Sequence, residues 1–145
     1  MKPEVDQILF ITTSQLMNVV VPQLPAGYLQ GTTSVLGVMT LLAAQEYDRA
    51  ADIRFAENAD MRALFKEAAP GVADAELRGE LLAAADLHES SLRISALNEV
   101  NYALRRLLIR LQAQAEEMGM HELERRIWIV LKASAERRQL QLAPA

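Results

Sequence analysis

The sequence predicts an all-α fold, an antiparallel up-and-down bundle of about four helices, two of them long. Alanine and leucine dominate its 145 residues, and both residue types lose little free energy on entering a helix. Aromatic residues make up only 5% of the chain, which argues against a β-sandwich or barrel. Short loops between long helical segments favour antiparallel neighbours. The length predicts a single domain, residues 1–145.

The first helical region is predicted from about Pro3 to Val21. Proline is well tolerated in the first turn of a helix, where its missing N–H group is not needed. The β-branched run Val19–Val21 could also form a strand, but no second strand is available to pair with it. Two prolines and a glycine in residues 22–27 end the region.

The second region is predicted to begin at Tyr28 or Thr33 and to end at Ala69, before Pro70 and Gly71. Its apolar residues recur at helical spacing over most of this length. A break is possible near residues 58–60, because Asn and Asp favour helix caps over helix interiors. Whether this region is one helix stays open at this point.

The third region is predicted from Asp74, a suitable N-cap, to Met118, just before a glycine suited to the left-handed C-terminal position. A kink is possible around Ser90 and Ser91. The fourth region runs from about His121 to Leu140. Leucine, isoleucine and valine form an apolar stripe along it, and the stripe also includes Ser134.

A heptad pattern runs through the third region and predicts a seam of the coiled-coil type. Its two interleaved rows are Leu87, Ile94, Asn101, Leu108, Ala115 and Ser90, Leu97, Leu104, Leu111, Met118. Asn101 lies inside this seam. A buried asparagine at such a position fixes the register of the helices, or its amide contacts a ligand.

No charged residue occurs from Gln7 to Gln45, whereas charges recur every few residues elsewhere. Because charged side chains are almost never fully buried unless they are paired, this charge-free segment is expected where water is scarce. Three placements fit: the centre of the domain, a homodimer interface, or contact with a membrane surface. Its many hydroxyl and amide side chains weigh against lipid and also fit a polar-lined pocket between the first two helices.

A charged block follows the charge-free segment. Its members form a candidate polar interaction patch: Glu46, Arg49, Arg54, Glu57 and Asn58. Oppositely charged residues three or four positions apart can pair on one helix face. The block is therefore either a solvent-exposed face with ion pairs or a patch for a partner or a small acid.

Several classes of site are not indicated. The chain has no cysteine, hence no disulfide or thiolate site. Its two histidines, His88 and His121, do not follow a glutamate by three positions, as di-iron bundles require. No glycine-rich phosphate loop and no catalytic motif occur. We therefore assign no catalytic residue, no cofactor and no metal ligand.

Charge and hydropathy limit the partners. A net charge of −4 gives no general reason to bind nucleic acid. No apolar run reaches the roughly 18 residues of a membrane span, and no export signal is convincing, so a cytoplasmic protein is expected. The segment from Met120 onward has an excess of basic residues, which form a solvated helix face or a docking surface for an acidic partner.

Parts of the chain resemble a known group of proteins. A family of uncharacterised bacterial helical proteins is similar to several stretches of the chain: the opening run 6–9, residues 21–22, 41–51, 57–58 and 61–65, and the run Leu97–Tyr102. Genes of that family tend to lie near those of acyl-CoA dehydrogenases and aminoglycoside-phosphotransferase-like kinases. A fainter similarity, resting on residues 97–104, is to FlgN-type flagellar export chaperones. The resemblance implies a helical fold, and because the family has no settled activity, no catalytic residue can be carried over from it.

These observations favour a non-catalytic accessory or adaptor protein that acts through protein–protein contacts, as a homodimer and with another protein. The alternatives are a small-molecule-binding bundle or enzyme with a pocket between the first two helices, and an export chaperone. An adaptor is expected to expose an apolar strip on a helix. A binding protein is expected to enclose a cavity with convergent polar groups.

The missing ligand set leads to a first prediction. The purified protein should hold no stoichiometric iron, manganese or zinc, because the residues that bind these metals in helical bundles do not occur at the required spacing. Elemental analysis after extensive dialysis measures this directly. One or two tightly retained metal ions per chain would contradict it.

Overall fold

The computed structural model describes residues 3–141. Within that range the chain is helical and contains no strand, with 83% helix, which confirms the all-α class. The described residues form five α-helices rather than about four: α1 Val5–Gln15, α2 Tyr28–Ala68, α3 Ala75–Asp86, α4 Ile94–Glu117 and α5 His121–Arg137.

The chain divides into two compact units, which are described separately. Unit 1 is the described part of Met1–Ala50 and Leu140–Ala145, and unit 2 is Ala51–Gln139. Helix α2 contributes residues to both units. A single domain over residues 1–145 stays a prediction.

Unit 1 begins with α1 and continues without leaving helical conformation. A π-helical segment, Leu16–Val20, follows α1, and a 3₁₀ turn, Val21–Gln23, follows that segment. In the π segment, the Val21 N–H donates to the carbonyl of Leu16, five positions earlier. The β-branched run at its end is thus helical, and the strand alternative is wrong.

Close contact between the π segment and α2 depends on a glycine. Gly37 is buried, and a Cβ atom at this position would lie 2.5 Å from Met17 Sδ. Thr13 Oγ1 donates to the Gly37 carbonyl at 3.5 Å, and Gln30 Nε2 donates to the Val21 carbonyl at 3.3 Å. The two segments of unit 1 therefore pack with their backbones unusually near.

Helix α2 continues unbroken through residues 58–60, so the possible break there is not present. Asn58 does not cap the helix, because its side-chain amide donates to Glu89 Oε1 at 3.1 Å and to the Leu97 carbonyl at 3.4 Å. The helix ends at a 3₁₀ turn, Ala69–Gly71, as the Pro–Gly pair predicted.

The predicted third region is two helices, since α3 ends at Asp86 and α4 begins at Ile94. The expected kink is a full break over residues 87–93, which we call the connection. Ser91 Oγ accepts a hydrogen bond from the Arg93 N–H at 3.2 Å, a local bond that competes with helix formation. Glu89 of the connection is bound by side chains of α2.

Both predicted helix ends are confirmed. The Asp74 carboxylate caps α3 by accepting from the N–H groups of Glu76 at 2.8 Å and Leu77 at 3.1 Å. Gly119 follows α4 with a φ of 63°. This left-handed conformation suits glycine, which has no Cβ atom to clash with the backbone.

The hydrophobic core of unit 2 lies among its helices. The heptad seam is confirmed along α4, where the buried residues are Leu97, Asn101, Leu104, Leu108, Leu111 and Ala115. Outside that stretch, Leu87 and Met118 are exposed. Helix α5 contributes Leu123, Ile127 and Ser134 as its buried residues.

Two glycines provide a matched test of this backbone. Gly119→Ala should lower the free energy of unfolding by roughly 1–2 kcal/mol, because an L-residue is strained in the left-handed region. Gly79→Ala, on an exposed position of α3 where nothing lies within 4 Å of the added Cβ, should raise it by up to about 1 kcal/mol through helix propensity. Urea denaturation compares the two, and changes of the same sign would contradict the assignment.

Candidate functional site

A buried carboxylate forms the centre of the polar groups in unit 2. Glu57 on α2 is 2% exposed. Its Oε1 accepts from Ser134 Oγ at 2.6 Å and from Arg138 Nε at 2.5 Å. Its Oε2 accepts from Arg138 Nη2 at 2.6 Å, from Asn101 Nδ2 at 3.1 Å and from Arg105 Nη2 at 3.3 Å. One carboxylate therefore receives five hydrogen bonds from α4, α5 and the residue after α5.

The seam asparagine belongs to the same group of side chains, the Glu57 network. Asn101 Nδ2 donates to Glu57 and, at 2.9 Å, to Asn58 Oδ1. Asn101 Oδ1 accepts from Arg105 Nε at 2.9 Å. Both amide hydrogens and the amide oxygen are thus engaged by protein groups, an arrangement that fits the register-fixing interpretation.

The connection extends this network toward the surface. The Glu89 carboxylate accepts from Asn58 Nδ2 at 3.1 Å and from Arg62 Nη1 at 2.5 Å. Arg62 and Glu89 are almost fully buried, with side chains 10% and 9% exposed. Two helix positions separated by one turn, Asn58 and Arg62, therefore attach the connection to α2.

Electrostatics keep both carboxylates ionised. Burial by itself raises the pKa of Glu57, but hydrogen bonds from Arg138 and Ser134 and the charges of Arg138 and Arg105 outweigh it and lower that pKa to about 2. For Glu89, burial again acts to raise the pKa, and the bonds from Arg62 and Asn58 lower it overall. Neither group is suited to proton transfer near neutral pH.

The space beside Glu57 is small. The cavity there has a volume of about 10 Å³ and is lined in part by Met61, Arg105 and Leu108. Such a volume is about the smallest that admits a single water molecule. Among residues 3–141, no group of three or more His, Asp or Glu side chains could hold a metal ion. The arrangement is suited to fixing helix positions.

The five residues of the candidate polar patch do not share one environment. Glu46 and Arg49 belong to unit 1 and are partly exposed, whereas Arg54, Glu57 and Asn58 belong to unit 2. Glu57 and Asn58 are buried, so a solvent-exposed face is wrong for these two. Arg54 is partly buried and its Nε donates to Asn98 Oδ1 at 3.2 Å. A role of the patch in partner binding stays a prediction.

Sequence patterns did not single out several members of the Glu57 network. Arg105, Arg138 and Glu89 have the spacing of ordinary solvated helix residues, and their partners on α2 lie far away in the sequence. Ser134 gave a usable signal, because it is the one hydroxyl in the apolar stripe of the fourth region. A buried hydroxyl in a stripe requires a hydrogen-bond partner.

The charge-free segment is largely exposed in this chain. Within Gln7–Gln45 only Gly37 and Ala44 are buried, and α1 has no buried residue. The placement at the centre of the domain is therefore wrong. Large apolar side chains in the segment expose from 40% of their surface at Val20 to 91% at Tyr28.

Basic residues near the chain end are paired within unit 2. Arg138 binds Glu57, Arg137 Nη1 lies 2.5 Å from Asp60 Oδ2, and Arg126 pairs with Glu67. These arginines join α5 and the residue after it to α2. Their charges are thus balanced inside unit 2, which weakens the interpretation as a docking surface for an acidic partner.

Comparison with known proteins gives no relative: no protein-family model, no curated protein and no solved structure matches the chain. The resemblance noted from the sequence stays a prediction. Among residues 3–141, no helix has the length and apolar character required to cross a bilayer.

The lowered pKa of Glu57 predicts a pH dependence of stability. Because this pKa is lower in the folded than in the unfolded chain, the unfolded state takes up a proton first as the pH falls. Stability from the ionised carboxylate is present above about pH 5 and is lost toward pH 2, a change of roughly 3 kcal/mol. Urea denaturation at a series of pH values measures it.

Glu57→Gln should remove this pH-dependent part and lower stability at neutral pH by roughly 3–5 kcal/mol, because two guanidinium groups lose their carboxylate. Glu99→Gln, an exposed change on α4, serves as the matched control and should leave the pH profile unchanged. Parallel profiles of the wild type and Glu57→Gln between pH 2 and 5 would contradict the assigned role.

Proposed function

We propose that this protein is a non-catalytic interaction protein whose charge-free segment binds a second copy of the chain, and that the dimer acts as an accessory or adaptor to another protein. One observation carries the proposal: the segment without charges also exposes many large apolar side chains. Large apolar side chains left exposed in such number are typical of protein–protein contact sites. The exposed strip is also the feature expected of an adaptor.

The exposed apolar residues of α2 recur at helical spacing. Tyr28, Val35 and Met39 are seven and four positions apart, and Leu29 and Leu36 are seven apart. Residues at these intervals lie along one side of a helix, as in a seam between two helices. A second helix packed along this side would cover them.

Apolar side chains are available for a dimer interface. Ten large apolar residues within Gln7–Gln45 are exposed, and their removal from water would favour association. A stable interface of standard size covers about 800 Å² on each partner. A second copy is favoured as the occupant because two charge-free surfaces meet without electrostatic repulsion and without leaving a charge unpaired.

We also propose that the helices of unit 2 form an antiparallel up-and-down bundle. The order of ion pairs supports this: along α2 and α5 they join Glu57 with Arg138, Asp60 with Arg137 and Glu67 with Arg126, so one helix ascends as the other descends. In this proposal the bundle is the rigid scaffold of the protein, and the charge-free segment is its contact surface.

The dimer is tested by size-exclusion chromatography with light scattering. The wild-type protein should have the mass of two chains at micromolar concentration. The double variant Leu36→Asp, Met39→Asp should dissociate at least about tenfold more readily, because each change places a charge in an apolar interface. Both positions are more than half exposed in the single chain, so the variant should retain its fold.

Ile109→Asp is the matched control, since Ile109 is 65% exposed on α4 and lies outside the charge-free segment. It should leave the mass of the dimer unchanged. A wild-type protein that is monomeric at about 100 μM, well above the concentrations at which standard interfaces form, would contradict the proposal. A dimer that resists the double variant would do so as well.

A further inference from the structure

A groove on unit 2 has features of a ligand site and is separate from the charge-free segment. Its volume is about 660 Å³, and residues of α2, α3, the connection and α4 line it. Most of the lining is apolar and includes Leu87, Val100, Leu104 and Leu107. Leu87 is 63% exposed. The volume lies in the usual range of small-molecule sites.

Charged groups of the groove leave a single positive charge unbalanced. Arg62 pairs with Glu89, and Arg110 pairs with Glu80. Arg106, on the exposed side of α4, forms no ion pair or side-chain hydrogen bond with any residue of the described range 3–141. The groove therefore combines an apolar lining with one guanidinium group that has no partner.

Arg62 adds a second incomplete interaction at the same place. Its Nη1 donates to Glu89, but its Nε is buried and has no hydrogen-bond partner. His88 of the connection also lines the groove and is exposed. An anion in the groove would thus meet a net positive surface, and a guanidinium group binds a carboxylate through two parallel hydrogen bonds.

We infer that this groove binds an amphipathic monocarboxylate, with its carboxylate on Arg106 and its aliphatic body along the apolar residues of α3 and α4. A monoanion balances the one unpaired charge. A second polar group on the ligand would lie against apolar side chains that cannot form hydrogen bonds with it. This inference does not depend on the proposed dimer, because none of the groove residues belongs to the charge-free segment. A ligand of this class fits a small-molecule-binding role at a place other than the one expected between the first two helices.

Isothermal titration calorimetry with decanoate, kept below its micelle-forming concentration, tests the inference on the full chain. One decanoate per chain should bind saturably. Decanol, which has the same chain length without the charge, and acetate, which has the charge without the chain, should each bind at least about tenfold more weakly. Decanol binding as tightly as decanoate, or the absence of decanoate binding, would overturn the inference.

Two variants locate the site. Ala103→Trp fills the groove from an exposed position of α4, and Arg106→Gln removes the unpaired charge. Each should weaken decanoate binding at least about tenfold. The matched controls Ala113→Trp and Arg125→Gln, both exposed and outside the groove, should bind as the wild type does. If Arg106→Gln retained wild-type affinity, or if the controls lost it equally, the assignment of this groove would be wrong.

Leu36→Asp, Met39→Asp separates this inference from the proposed dimer. Decanoate binding to the double variant should equal that of the wild type, whatever its oligomeric state. Loss of decanoate binding in that variant alone would show that the apolar surface of unit 1 takes up the ligand, and it would overturn the assignment to the groove.

Discussion

Removing a carboxylate from water costs several kcal/mol, and this cost must be offset by donors at defined positions. Glu57 meets that requirement through Asn101 and Arg105 on α4, Ser134 on α5 and Arg138 just beyond it. Each donor fixes the rotation and height of its helix relative to α2. The arrangement of unit 2 thus depends on hydrogen-bond geometry as well as on apolar burial. Arg138 forms a bidentate bond that offsets much of the cost of burying the carboxylate.

The two units differ in how far their apolar side chains are buried. Unit 2 covers its apolar side chains within one core, whose fully buried members include Phe65, Leu81, Leu111 and Ile127. Unit 1 has no charges over Gln7–Gln45 and leaves much of its apolar surface accessible. Apolar packing alone tolerates rotation of a helix, whereas the Glu57 network does not. Unit 2 thus has a fixed helix register, whereas unit 1 has an uncovered apolar surface.

Local signals predicted local features well. Asp74 and Gly119 mark helix ends through the chemistry of one residue, and the seam from Leu97 to Ala115 follows from periodicity. Burial of Glu57 could not be predicted, because its partners lie 44 to 81 positions away in the sequence. The heptad pattern also continued through the connection, where side-chain bonds of Ser91 and Glu89 replace helix. Absence of charge marked an unusual segment, but the same pattern is expected of a segment covered by the core and of one covered by a partner, and only the fold shows that the core leaves it exposed.

The π segment has a consequence for how the surface of unit 1 can change. A turn closed over five positions holds one residue more than an α-turn, so the side chains at its end, Val19 and Val20 among them, are rotated by up to roughly 100° from their places in an uninterrupted α-helix. Deleting one residue early in the segment would restore the α-helical phase and turn Val19 and Val20 toward a different direction. Single-residue insertions and deletions, rather than substitutions, are therefore the changes to which the pattern of exposed valines is most sensitive.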